Sequence, residues 1–171
     1  MRLIKRLGLT VIAILAVVFI VGYRLPEQHT ATRDRVFSAT PERIFKEIST
    51  PTAYPKWRSG VQGVQILPDS DGMQRFREAA MTGEVTYIVE HTVPNRQFVL
   101  TIADANLPYT GSWTFDLVPV AGGTQLTITE DGAVHNPMFR FMSRFVYGHF
   151  RTIDGYLADL DKRLTNTLPD S

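Results

Sequence analysis

Five polar side chains sit where the sequence pattern predicts apolar company. Glu78 follows Phe76, His91 follows Val89, Asp104 follows Ile102 and Glu130 follows Ile128, each by two residues. That spacing puts both members of a pair on one face of a strand. His149 falls on the apolar side of a helical pattern, between Phe145 and Ile153. An unpaired charge is costly to bury, so each needs a partner or an opening to water. A carboxylate and a histidine facing each other in an apolar cavity would trade protons, burial raising the carboxylate pKa. The candidate catalytic residues are therefore Glu130, His149 and His91, with Glu130 and His149 as the pair. Plainer readings stand beside this one. His149 fits a hydrogen-bonded core histidine, His91 and Asp104 fit strand ends reaching solvent, and Glu130 fits a residue shaping the entry to the last helix.

Other chemistry is excluded or unsupported. The chain has 171 residues and no cysteine, so a disulfide scaffold, a thiolate metal site and a cysteine nucleophile are ruled out. His29, His91, His135 and His149 are scattered, and Asp69-x-Asp71 lacks the rest of a calcium loop. No GxSxG elbow or phosphate loop occurs, so neither metal nor cofactor is expected. A net charge of +1 leaves no nucleic-acid footprint. Hydrophobic residues make up 44% and charged ones 20%, enough for a packed core. Arg140, Arg144 and Arg151 share one side of the last helical pattern. A solvated face is the default there, with contact to anionic headgroups the functional alternative.

The charge is lopsided. Arg2, Lys5, Arg6 and Arg24 bracket the uncharged run Leu7–Tyr23, while the chain from Leu25 onward carries 14 basic against 17 acidic side chains. Seventeen helical residues reach about 25 Å, the short end of what a bilayer core requires. Lipid cannot satisfy backbone polar groups, so the run is expected as a helix. The positive-inside bias puts the N-terminus in the cytoplasm and the rest on the periplasmic or extracellular side. Val21, Gly22 and Tyr23 make a poor cleavage site, which favours a single-pass inner-membrane anchor over a cleaved signal peptide.

A strand-rich chain would position the polar groups. Residues 25–32, with Pro26, read as a linker, and Arg33–Ala39 as a first strand. Thr40 and Pro41 open a helix as N-cap and first residue. Pro51 and Pro55 bound a second short piece ending at Trp57. Six strands occupy 61–134, broken at Asp69–Gly72, Pro94-Asn95, Asn106–Gly111 and Ala121–Thr124. Each has one apolar face, which predicts a curved antiparallel sheet. From Pro137 to Leu164, apolar residues recur at three- and four-residue steps, predicting one amphipathic helix about 40 Å long.

This order resembles the START-like (SRPBCC) superfamily, the helix-grip fold of birch-pollen-allergen-like, lipid-transfer and polyketide-cyclase-like proteins. The likeness is carried by Ala39-Thr40-Pro41-Glu42-Arg43-Ile44-Phe45, Tyr54-Pro55-Lys56-Trp57, Gly111-Ser112-Trp113-Thr114-Phe115, Gly122-Gly123-Thr124, and Glu130-Asp131-Gly132-Ala133-Val134 leading into Asn136-Pro137-Met138-Phe139-Arg140. It implies an α+β helix-grip domain over 33–165, a curved antiparallel sheet wrapped around a long C-terminal helix. A transmembrane anchor over 1–24 precedes it and a tail over 166–171 comes after it. The resemblance also implies an apolar cavity between sheet and helix. The side chains expected to line it are Tyr87, Val89, Leu100, Ile102, Trp113, Phe115, Ile128, Met142, Phe145 and His149. The expected partners are a hydrophobic small molecule or lipid and, through the first helix, a membrane. An enzyme of the cyclase or dehydratase kind is the alternative, and the superfamily resemblance leaves both open.

Overall fold

The uncharged run Leu7–Tyr23 and the basic residues that bracket it form one helix. In the computed structural model, which describes residues 2–81, 83–148 and 150–166, α1 runs Arg2–Arg24. Its stretch Lys5–Arg24 is long and apolar enough to cross a membrane and is almost wholly exposed. Then come β1 (Gln28–Phe37), α2 (Pro41–Ile48), a 3₁₀ helix (Pro51–Lys56), β2 (Val61–Ser70), β3 (Met73–Ala80), β4 (Gly83–Val93), β5 (Gln97–Ile102), β6 (Tyr109–Val120) and β7 (Gly123–Val134). The chain continues through α3 (Pro137–Met142), a π-helical turn (Ser143–Tyr147) and α4 (Arg151–Asn166). His149 and the expected tail beyond Asn166 lie outside the described residues.

The strands form one antiparallel sheet in the order β1-β7-β6-β5-β4-β3-β2, so β2 to β7 are a meander and β1 returns to pair with β7. Thr40 caps α2, its hydroxyl accepting from the Arg43 amide at 3.4 Å, as the sequence predicts. The concave face carries Phe76, Phe98, Leu100, Phe115, Leu117, Leu126 and Ile128. Against it lie Ile44 and Ile48 of α2 and Ile153, Tyr156, Leu157, Leu160 and Leu164 of α4. The helix-grip architecture is thus the one expected.

The hairpin between β6 and β7 turns on Gly122 and Gly123, both with positive φ. At Gly123 (φ +154) an added Cβ would fall 1.9 Å from the Phe37 carbonyl oxygen, since β1 ends against this turn. Gly123→Ala is therefore expected to destabilise the domain by about 1–3 kcal/mol, read as a lowered melting temperature, whereas Gly122→Ala, with open space around it, loses only the backbone-strain share.

Three local departures matter for the site. First, β1 starts at Gln28, so most of the expected linker 25–32 is strand. Its polar residues hid it: Thr30 and Thr32 face outward, each side chain bonded to β7 through Asp131 and Thr129. Only Ala31 and half-buried His29 face in. Second, the β4–β5 pairing slips between Val89 and His91. Such a bulge switches the face of the residues beyond it, so His91 is exposed and is no candidate for an interior acid or base. Third, the 40 Å helix expected from Pro137 to Leu164 is two shorter ones. Gly148 takes φ +73 and its amide donates to the Ser143 carbonyl at 2.9 Å, so the π turn ends at a positive-φ glycine. Only α4 grips the sheet, and α3 lies against α1 instead.

Candidate functional site

Beneath α4 the space between helix and sheet is filled. The rings of Phe98, Phe115, Tyr156, Trp57, Tyr54 and Phe76 meet in series, with Trp113 on Tyr156, at centroid distances of 5.2–6.1 Å. The apolar gap expected under the C-terminal helix is closed at that end by the chain's own aromatic groups. One ion pair is built into this cluster. Arg58, just past the 3₁₀ helix, donates through Nη1 to Glu78 Oε2 at 2.5 Å, and its guanidinium lies 4.9 Å from the Tyr54 ring and 5.0 Å from the Tyr156 ring. Burial acts to lower the Arg58 pKa, but the Glu78 carboxylate together with the phenols of Tyr156, Tyr54 and Tyr87 raises it above its ordinary value, so the guanidinium stays charged. Glu78, 8% exposed, thereby has the partner its position demanded. Burial also pushes up the phenols of Tyr54, Tyr87 and Tyr156, keeping all three neutral.

A second polar pair sits at the other end of the concave face. Glu130 lies in β7 opposite Ala31 of β1 and Trp113 of β6. Its Oε1 is 3.5 Å from Nε2 of His29, and its Oε2 is buried with no hydrogen-bond partner. Burial pushes the Glu130 carboxyl up to about 7. The His29 pKa is lowered by burial, against the opposing pull of the Asp131 carboxylate. Near neutral pH the pair is thus a carboxyl poised at half-ionisation beside an uncharged imidazole. Gly132 makes the contact feasible, because a Cβ there would come within 2.6 Å of His29 Cε1. Glu130 accordingly pairs with His29, while His149, the partner expected from the sequence pattern, lies outside the described residues. Asp104 is a strand-end group: it accepts from the Thr86 amide at 2.5 Å, extending the β4–β5 ladder beyond Ile102.

A cavity of about 360 Å³ has His29, but not Glu130, in its wall. Leu25, Pro26, Glu27, Gln28, His29 and Thr30 form one side, Val134 the floor, and Arg140, Ser143, Arg144 and Phe150 the side where the C-terminal helix is broken; the surface presented inward is mostly apolar. Phe150 is held by the Arg33 guanidinium, 3.5 Å from its ring centroid, and Arg33 Nε donates to Asp154 at 3.2 Å. Arg140 is 8% exposed and not on a solvated face. Its Nη1 donates to the Leu25 carbonyl at 2.9 Å and its Nη2 to Glu27 and the His135 carbonyl at 3.0 and 3.1 Å, fixing the α1–β1 connection to α3.

The chain matches the family model described as polyketide cyclase / dehydrase and lipid transport over residues 28–164. It belongs to this family. Solved structures agree on the fold of this polyketide-cyclase-type domain. A START superfamily protein from Mycobacterium smegmatis superposes with a TM-score of 0.66 at 19% identity, covering 82% of this chain and 99% of that one. A protein from Thermus thermophilus gives 0.67 at 16% identity, covering 82% and 100%. The Zhui aromatase/cyclase from a Streptomyces species gives 0.65 at 12% identity, covering 81% and 94%. No curated protein matches the chain.

The side chains expected to line the cavity of this family member divide into three groups. Leu100, Phe115 and Ile128 are buried in the core, and Tyr87, Val89, Ile102 and Trp113 are half-buried on the concave face. Met142 is half-buried at the end of α3, while Phe145 is 59% exposed because the π turn carries it outward, against Phe141 at 4.9 Å. None of these borders the 360 Å³ cavity. Its walls, together with His29 and Arg58, carry no strong sequence signal. The one available sign was inward alternation of His29, Ala31, Arg33, Arg35 and Phe37, weak because three of the five are charged or titratable.

Proposed function

We propose that this family member holds a hydrophobic small molecule, such as a lipid, quinone or polyketide-like compound, beside the membrane that α1 spans. The N-terminus is cytoplasmic and the domain periplasmic or extracellular. The observation that carries this reading is the 360 Å³ cavity at the break in the C-terminal helix. It has the size of a small-molecule site and a mostly apolar lining, and it starts at Leu25, directly after the apolar helix. An apolar ligand is sheltered there from water and kept near its source. The half-buried Tyr87, Val89, Ile102 and Trp113 extend the proposed apolar surface past Glu130. Native mass spectrometry of the full chain, gently extracted from membranes, tests the reading. The wild type should carry a co-purifying apolar mass that Val134→Phe, which fills the cavity floor, loses. Bare wild-type protein, or equal loading of both, would overturn it.

A second reading rests on the Glu130–His29 pair. A carboxyl at about 7 beside a neutral imidazole is matched to proton transfer near neutral pH. In an enzyme of the cyclase or dehydratase kind, Glu130 would take and return the proton and His29 would orient it.

A further inference from the structure

The chain packs α3 and its π turn alongside the apolar helix, and the contact has a depth. The Pro137 backbone rests on Gly22, where an added Cβ would fall 1.9 Å from the Pro137 carbonyl oxygen. Further along, Phe141 lines one groove with Thr10, Ala13, Ile14, Val17 and Val18 of α1. From the level of Gly22 to that of Val18 or Ile14 is about 6–12 Å along a helix axis. The segment therefore runs back along α1, away from the sheet, before Gly148 returns the chain to α4.

The surface it presents there is apolar. Phe139, Phe145 and Val146 are 51%, 59% and 55% exposed, and Phe150 is also exposed. Apolar exposure this dense on one short segment marks a surface that is covered in use. The backbone is suited to a dry surrounding: the Asn136 side chain accepts from the Met138 and Phe139 amides, and the Gly148 amide closes the π turn. Arg140, clamped to Leu25, Glu27 and His135, fixes the segment at the end of α1. Arg144 is exposed and its long stem can carry its charge up to lipid phosphates.

We propose that residues 137–148 are inserted into the outer leaflet beside the C-terminal half of α1, with Phe139, Phe145 and Val146 among acyl chains. The occupant of this face is the lipid bilayer, chosen because the face is continuous with the spanning helix that it packs on. Since Ser143, Arg144 and Phe150 also wall the cavity, its mouth meets the headgroup layer, and an apolar ligand enters from lipid without crossing water. The inference rests on the reading of α1 as a membrane span.

The chain contains no cysteine, so single labels are clean. Full-length Phe145→Cys, Val146→Cys, Ile14→Cys and Val118→Cys variants would each carry an environment-sensitive fluorophore, in vesicles of phosphatidylcholine and phosphatidylglycerol. Val118 is an exposed position on β6. Labels at 145 and 146 should be quenched by doxyl-labelled lipid as strongly as the label at 14, and several-fold more than the label at 118, which aqueous iodide alone should reach. If 14 is in lipid while 145 and 146 respond to iodide as 118 does, the insertion is wrong and the anchor stands. Shielding of 145 and 146 from both quenchers would mean a protein contact and would also overturn it. Iodide access at 14 would remove the anchor itself and the insertion with it.

Discussion

Arg58→Met should lower the stability of the domain by about 3–5 kcal/mol, because it strands the Glu78 carboxylate in the interior. The size comes from asymmetry. The pair together is close to neutral, since desolvating two charges offsets their attraction, but removing one partner leaves the other's desolvation uncompensated. Methionine keeps much of the arginine's apolar bulk, so the stacking on Tyr54 and Tyr156 is only partly lost. The double variant Arg58→Met/Glu78→Leu should recover most of the deficit. Thermal melts of the detergent-solubilised chain would read the single variant as a drop of about 10 °C. Equal melting of wild type and single variant would mean that water reaches the pair and that its burial carries no energetic weight. The pair joins the loop after the 3₁₀ helix to β3, so its loss should loosen the filled end of the concave face and leave the cavity at the opposite end unchanged.

The fold was legible because its signals are local. Period-two alternation in β4 to β7, the Thr40-Pro41 cap and the Gly122-Gly123 turn each fix an element within a few residues, and six such elements in order leave few architectures. The features that escaped were non-local. His91 is on the wrong face because one residue of slippage at Val89 has no marker in its own strand. Gly148 was visible as a costly residue in a helical pattern, yet whether it bends or ends the helix depends on what α3 packs against, and that is α1, more than a hundred residues earlier. Glu130 was picked out by its apolar neighbours, but its partner arrives from β1 through a pairing of strands about a hundred residues apart. Alternation says that a polar group is inside; only the register says who meets it. The cavity was least legible, being made of the end of α1's connection, the end of β7 and the broken helix, none of which carries a binding signature alone.

Glu130→Gln should make the protein more stable at alkaline pH while impairing its use of the site. The carboxyl titrates at about 7 in the folded chain because burial penalises its charge, against 4.5 as its ordinary value. Between those two values the folded protein keeps a proton that the unfolded chain has released, so stability falls as pH rises through the window and is level above it. The full penalty is about 3 kcal/mol at most, reached near pH 8. Glutamine cannot ionise, so the variant should melt above wild type at about pH 8 and converge with it near pH 4.5. His29 contributes with the opposite sign. Its lowered pKa means a share of stability present above 6.5 and lost as pH falls. Identical melting at both pH values would show that burial does not hold the carboxyl protonated. If the variant gains stability yet releases the co-purifying molecule, the buried Oε2 is the ligand's polar contact. If it keeps the molecule bound but unchanged where the wild type converts it, the same oxygen is the acid or base of a reaction.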